Sequence, residues 1–504
     1  MASRTALWLS GSALFIGLVG DQLLRHAPWG AGAALWLVLA VGIAIGFARV
    51  TRENDITALT AIFLTAAFFA ACLAWRDAPE LKGWNVLAVC AALTLGLLQI
   101  RNLRLRAAGL IDYVAESVGA GLRTIAGPVV LLTSDLFERE KPAPTGRRRV
   151  LAIALGIFFA IPVVVLFGAL LTSADPVFER WTRFLFDWDL ERLLSHLLVI
   201  GVLSWLAAGY LRSVVARTSA TPQPLVHVRR PMLGALEIGI PLGALTVLFL
   251  AFIIVQARYL FGGEDLIRST VGLTYAEYAR RGFFELVAVA GLVLPLLMAA
   301  EWALNSEDRP ATRIWRALAA TILVLVGLII ASAAVRLRLY YHAYGLTQDR
   351  LYAAAVMIWI AVALAWFGTT VLRGKRNRFV FGAIVAGFVV VAGLNVLNPD
   401  AVIARANLTR EARGEELDVH YLGLLSADAT PVLTAALGDL SADHRCTIAR
   451  DLASEHEERQ GSDWRSWSLG RSHADGAFET INSALRGCPI QEMEGADTAP
   501  TPDT

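Results

Sequence analysis

The sequence predicts an all-α polytopic membrane protein, a bundle of about eleven transmembrane helices with a small helical C-terminal domain outside the membrane. Three observations lead there. Hydrophobic residues fill 56% of the 504 positions and charged residues only 17%, against roughly 45–50% and about 25% in soluble globular chains. The apolar excess is gathered into runs of about 18–25 residues, each long enough for a hydrocarbon core about 30 Å thick. From Asn398 onward the pattern breaks, with 9 Lys/Arg, 19 Asp/Glu and no such run.

The predicted spans are 5–22, 30–48, 56–75, 84–100, 149–172, 191–211, 236–258, 282–301, 315–335, 351–372 and 378–397. The first follows a lone Arg4, as a signal peptide does, but no small-x-small site precedes Asp21, so it is read as a retained helix. Four regions follow: an N-terminal four-helix segment (1–100), a basic cytoplasmic loop (101–148), a core membrane domain of seven helices (149–397) and an acidic helical extracytoplasmic domain (398–504). The loop segment "RNLRLRAAGLIDYVAESVGAGLRTIAG" alternates basic and apolar residues at helical spacing, the pattern of an amphipathic helix lying on an anionic leaflet.

Lys and Arg cluster in alternate loops, in 101–148, 212–235 and 373–378. With a cytoplasmic N-terminus these loops fall inside, and about twice as many basic residues lie inside as outside, the bias that sets orientation. Eleven crossings then export the acidic domain. In a Gram-negative bacterium that is the periplasm, where Cys446 and Cys488 are permitted to form a disulfide. Cys72 and Cys90 lie in apolar runs, as small packing residues.

Residues 336–352, "RLRLYYHAYGLTQDRLY", form a polar turn between two long apolar runs. Arg336, Tyr340 and Tyr344 share one helix face. Gly345 suits a left-handed helix end, Thr347 a cap and Asp349 the first turn of the next helix. A helical hairpin accounts for most of the stretch, yet Tyr341, His342 and Arg350 are more polar than a turn requires. A second outer segment carries Tyr275, Tyr278, Arg281 and Glu285, the last one turn inside a span with Arg281 as its partner. An intramembrane carboxylate marks function or a snorkelling ion pair. Together Tyr275, Tyr278, Arg281, Glu285, Tyr341, Tyr344 and Arg350 form the candidate outer-face surface. A third outer loop holds Asp175, Asp187 and Asp189, the composition of a solvated connection with Trp181 and Trp188 in the aromatic belt.

The spans are poor in ionisable groups, and Pro162, Pro241 and Pro295 are placed to kink three of them. Gly42/Gly46 and Gly239/Gly243 are spaced for close helix packing. In the tail, Asp400, Ser441 and Asp463 stand at helix starts. Its four histidines and two cysteines match no zinc spacing. No phosphate loop, nucleophile elbow or H-E-x-x-H occurs, so no catalytic residue, cofactor or metal is expected. The basic residues follow helix ends and form no nucleic-acid patch. The bilayer is the expected partner, with a protein partner for the tail.

The stretches "LTYAEYARRGFFELVAVA", "YYHAYGLTQDRLYAAAVMIWIA", "NPDAVIARANL", "LDVHYLGLLSADATPVL" and "DWRSWSLGR", in this order, resemble bacterial polytopic membrane proteins grouped as domains of unknown function 4153 and 4173. The resemblance runs from about residue 150 to about 470. It implies an integral inner-membrane protein and assigns no activity to any residue. Three function classes fit: a non-enzymatic sensing or scaffolding protein with an exported interaction domain, which the lack of catalytic motifs favours; a transporter or lipid flippase; and a transferase acting on a lipid-linked substrate. A polar cavity open to lipid would favour transport or transfer, and tight packing with no cavity would favour scaffolding.

Overall fold

The computed structural model describes residues 3–25, 28–51, 56–135, 164, 171, 175, 190–216, 232–261, 283–305 and 307–489. It is all-helical, as the hydropathy requires. The long helices are α1 (Ser3–Leu24), α2 (Ala31–Thr51), α3 (Ile56–Trp75), α4 (Pro79–Ile100), α5 (Leu110–Val130), α6 (Leu190–Val215), α7 (Ala235–Phe261), α8 (Phe283–Ala303), α9 (Arg309–Tyr344), α10 (Gln348–Thr370) and α11 (Phe379–Leu397). Six further α-helices follow among the described residues: α12 (Pro399–Glu411), α13 (Val419–Gly423), α14 (Thr430–Ala436), α15 (Ala442–Gln460), α16 (Leu469–Gly476) and α17 (Phe478–Leu485).

Among the described residues, eleven helices are long and apolar enough to cross a membrane. The set differs from the predicted one. Apart from residues 164 and 171, the expected span 149–172 lies outside the described residues, and 110–133, expected to lie on the membrane surface, is long and apolar enough to be counted. It is amphipathic nonetheless. Val114, Val118, Leu122, Ile125 and Val129 are exposed along one face, while Glu116 is buried between Arg101 and Arg123, 3.1 Å from each. A lipid-facing stripe with a charged inner edge reads as a span by composition and as a surface helix by pattern.

Helix α4 begins at Pro79, five residues before the predicted run. Glu80 and Lys82 lower the hydropathy there, but Lys82 is neutralised by Asp77, 2.8 Å away. The close helix approach is also elsewhere than predicted. A Cβ on Gly42, Gly46 or Gly243 would meet nothing within 4 Å, and one on Gly239 would meet only the Ile314 side chain of α9, at 3.4 Å. A Cβ on Gly127 would stand 2.8 Å from the backbone of Gly209, so α5 and α6 cross backbone to backbone.

One apolar core, with Trp315, Phe63, Phe69 and Phe367 fully buried, runs through the bundle. A second lies beneath the C-terminal domain. It joins Ala78, Leu81, Leu351, Tyr352, Ala355 and Leu394 of the bundle to Ile403, Leu422, Leu425, Leu433 and Ile448. The domain therefore packs on the face where α1, α3, α9 and α11 end and α2, α4 and α10 begin. On the opposite face, Arg376 pairs with Glu301 at 3.0 Å and Asp308 caps α9 by accepting from the Ala311 N–H at 3.1 Å.

Candidate functional site at the helix ends

Helix ends leave backbone N–H and C=O groups without partners inside the helix, and buried ends need partners from elsewhere. Here the C-terminal domain supplies them. The Ala31 N–H at the start of α2 donates to the Trp467 carbonyl at 2.7 Å. The N–H groups of Asp77 and Ala78, at the start of α4, donate to Asp428 Oδ2 at 2.6 and 3.2 Å. At the start of α10 the Gln348 N–H donates to the Tyr421 hydroxyl at 2.8 Å. Carbonyls are met the same way: Arg410 Nη2 donates to His342 O at 3.1 Å, at the end of α9.

The turn 344–348 is thus a hairpin gripped from outside. Gly345 is left-handed, with φ 78°. Asn407 pairs with both backbone groups of Leu346, accepting from its N–H at 2.9 Å and donating to its carbonyl at 2.8 Å. Buried Asp400 accepts from Gln348 Nε2 at 3.0 Å and from the Ser426 hydroxyl at 2.6 Å. Thr347 holds the cap position of α10 without a side-chain cap bond, and Tyr421 takes that role.

Beside the hairpin lies a buried ionic cluster. Asp77 Oδ1 accepts from Lys82 Nζ at 2.8 Å and from Arg471 Nε at 2.9 Å. Arg76 Nη1 lies 3.7 Å from Asp428 Oδ1, and Arg76 Nε donates to the Asn395 carbonyl at 2.7 Å. Beneath them the side chains of Asn85 and Asn395 pair at 2.7 and 3.0 Å. A Cβ on Gly470 would collide with Asp428 Oδ1, so glycine is required where α16 meets the cluster.

The two carboxylates respond oppositely to this setting. Burial pushes Asp77 up, but Lys82 and Arg471 outweigh it and hold the carboxyl below its usual range. Burial pushes Asp428 up and prevails over its two backbone donors and Arg76. Asp428 is therefore protonated first on acidification. Its folded form binds the proton more tightly than the unfolded chain, so stability rises as pH falls from neutral through its folded value. The contribution of Asp77 is complete above the ordinary aspartate value of about 3.9 and is lost as pH falls through its lower folded value. Thermal unfolding followed by tryptophan fluorescence should show Tm rising on mild acidification and falling at lower pH. Asp428→Asn should shrink the rise.

Of the predicted surface, Tyr275, Tyr278 and Arg281 lie outside the described residues. Glu285 is exposed in the first turn of α8 and, among the described residues, makes no hydrogen bond or ion pair with Tyr341, Tyr344 or Arg350. Arg350 stacks 3.9 Å over the Tyr340 ring and donates to the carbonyls of Tyr344 and Gly345, serving the turn. Tyr344 is about half exposed. The Sγ atoms of Cys446 and Cys488 lie at bonding distance, with Cα atoms 5.6 Å apart. No group of three metal-ligating side chains occurs among the described residues.

The sequence reading missed the cluster at 76–82. The available signal was four charges, Arg76, Asp77, Glu80 and Lys82, crowded at a span start, together with Asp428 inside the apolar "LLSADATPVL". It also passed over a second polar group, in which buried Asp21 of α1 meets Arg25 at 2.7 Å and His196 of α6 at 2.5 Å.

The family model described as a domain of unknown function (DUF4153) matches residues 63–436, from within α3 to the end of α14. The match begins well before the segments that carried the resemblance and includes the 76–82 cluster. No curated protein and no solved structure matches the chain.

Proposed function

The chain belongs to this family of unknown function and is an integral membrane protein, and on that premise we propose that it is a non-enzymatic sensing and scaffolding protein of the bacterial inner membrane. Its exported C-terminal domain binds a protein partner and passes its state to the bundle. One observation carries this reading: the domain caps the ends of four membrane helices, α2, α4, α9 and α10, through a few hydrogen bonds at each and one buried ionic cluster. Movement of the domain would uncap all of them together. Buried ion pairs contribute little net stability over apolar packing, and their best-attested use is to fix a register or a switch.

The orientation belongs to the same proposal. The helix ends away from the domain carry Arg101, Arg212, Arg309, Arg373, Lys375 and Arg378, the bias of a cytoplasmic face. Export of the domain supplies the oxidising compartment for Cys446 and Cys488.

Locking the domain tests the reading. Leu346→Cys with Asn407→Cys places a removable bridge between the hairpin and the domain, where these residues already share two hydrogen bonds. In a deletion strain the oxidised pair should fail to complement, and reductant should restore the response, with wild-type protein under the same reductant as control. Full complementation by the bridged chain would show that the domain need not move and would overturn the sensing role.

A further inference from the structure

A groove of about 300 Å³ opens on the flank of the bundle between α4, α10 and α11. Trp84, Leu87, Trp359, Ile384, Phe388 and Val391 form its walls, and Gly387 leaves part of the floor free. Leu87 and Trp359 are exposed along it, so it opens towards the surroundings of the bundle. All three helices are long and apolar enough to span a bilayer, which makes those surroundings lipid.

We propose that this groove binds one acyl chain of a lipid from the leaflet on the side of the C-terminal domain. Length supports this choice of occupant. Along α11 the lining runs from Ala383 to Leu394, about 16 Å at 1.5 Å per residue. That is about half of a hydrocarbon core roughly 30 Å thick, the depth of one leaflet. Position supports it as well. Trp84, Tyr352 and Leu394 lie within two turns of the helix ends beneath the domain, so the groove begins at the headgroup level and runs inward. The volume lies at the lower end of the roughly 300–1,000 Å³ of small-ligand sites.

A second observation stands at the polar end. The Tyr352 ring lines the groove, the residue is 8% exposed, and its buried hydroxyl has no hydrogen-bond partner. Burying a hydroxyl without a partner is costly, and a small shift of the side chain towards the groove it lines would let it donate to a lipid ester or headgroup oxygen at this level. Tyr352, Ala355 and Leu394 also belong to the core beneath the domain. An occupant therefore touches residues on which the domain rests; only this link to signalling depends on the function proposed above, and lipid binding does not.

The test uses the full chain in vesicles of phosphatidylethanolamine and phosphatidylglycerol containing a phosphatidylethanolamine with a photoactivatable acyl chain. Adducts on the peptides carrying Trp84, Tyr352 and Trp359 should exceed those at the exposed positions Leu248, Leu292 and Val324 by about tenfold, the ratio that a preference of about 1.4 kcal/mol gives. Ala91→Trp and, separately, Gly387→Leu fill the groove from two sides. Each should remove the excess and leave labelling at Leu248 unchanged. Equal labelling of groove and control positions in the wild-type chain would mean ordinary annular lipid and would overturn the proposal. So would an excess that survives both substitutions.

Discussion

Asp77→Asn should loosen the C-terminal domain from the bundle while leaving the membrane helices folded. The substitution keeps the shape of the side chain and removes the one negative charge shared by Lys82 and Arg471, at 2.8 and 2.9 Å. Both cations are largely buried, with side-chain exposures of 9% and 12%. Removing one partner of a buried pair leaves the other charge uncompensated and costs about 3–5 kcal/mol. Limited proteolysis after Leu397 and the thermal transition of the domain would report the loss. Asp77→Asn combined with Lys82→Gln and Arg471→Gln should recover part of it, because no orphan charge remains. If the single substitution costs less than about 1 kcal/mol, the level of an exposed pair, the cluster does not hold the domain.

Gly345→Val should be nearly as damaging, for two separable reasons. With φ at 78°, a β-branched residue is strained in the backbone, by about 1–3 kcal/mol. A Cβ there would also collide with Asn407 Oδ1 and would stand 2.5 Å from Arg410 Nη1, the two side chains by which α12 grips the turn. Gly345→Ala separates the terms, since it meets the same collisions with a smaller conformational penalty. Tyr341→Phe is the control and should stay within about 0.5 kcal/mol, as surface changes do. Circular dichroism melts of the four proteins in one detergent would rank them. A melt for Gly345→Val equal to that of the wild type would exclude the gripped hairpin.

Gly345 shows where the sequence was legible and Asp77 where it was not. Hydropathy and charge set the fold class, ten of the eleven described spans and the helical tail, because lipid requires every backbone group to be hydrogen-bonded internally, which a continuous apolar run of about 20 residues meets as a helix, a constraint written locally in every run. The hairpin was also legible, since Gly345 and Asp349 act within a few residues of each other. Segment 110–133 was ambiguous for a physical reason: an amphipathic helix against α6 and one on a leaflet surface carry the same pattern.

The junction was decided by the tertiary structure alone. Asp77 and Asp428 meet across 351 residues, Asn85 and Asn395 across 310, and Arg471 and Asp77 across 394. No periodicity relates such positions, and each charge read by itself is an ordinary residue at a helix end. The sequence determined that these helix ends needed partners, because unmet backbone groups cannot stay buried. Only the packing of α12–α17 on the second apolar core decided that the partners would be Asp428, Tyr421 and Trp467. Burial of that core fixes where the domain sits, and its position brings the polar groups within hydrogen-bonding distance.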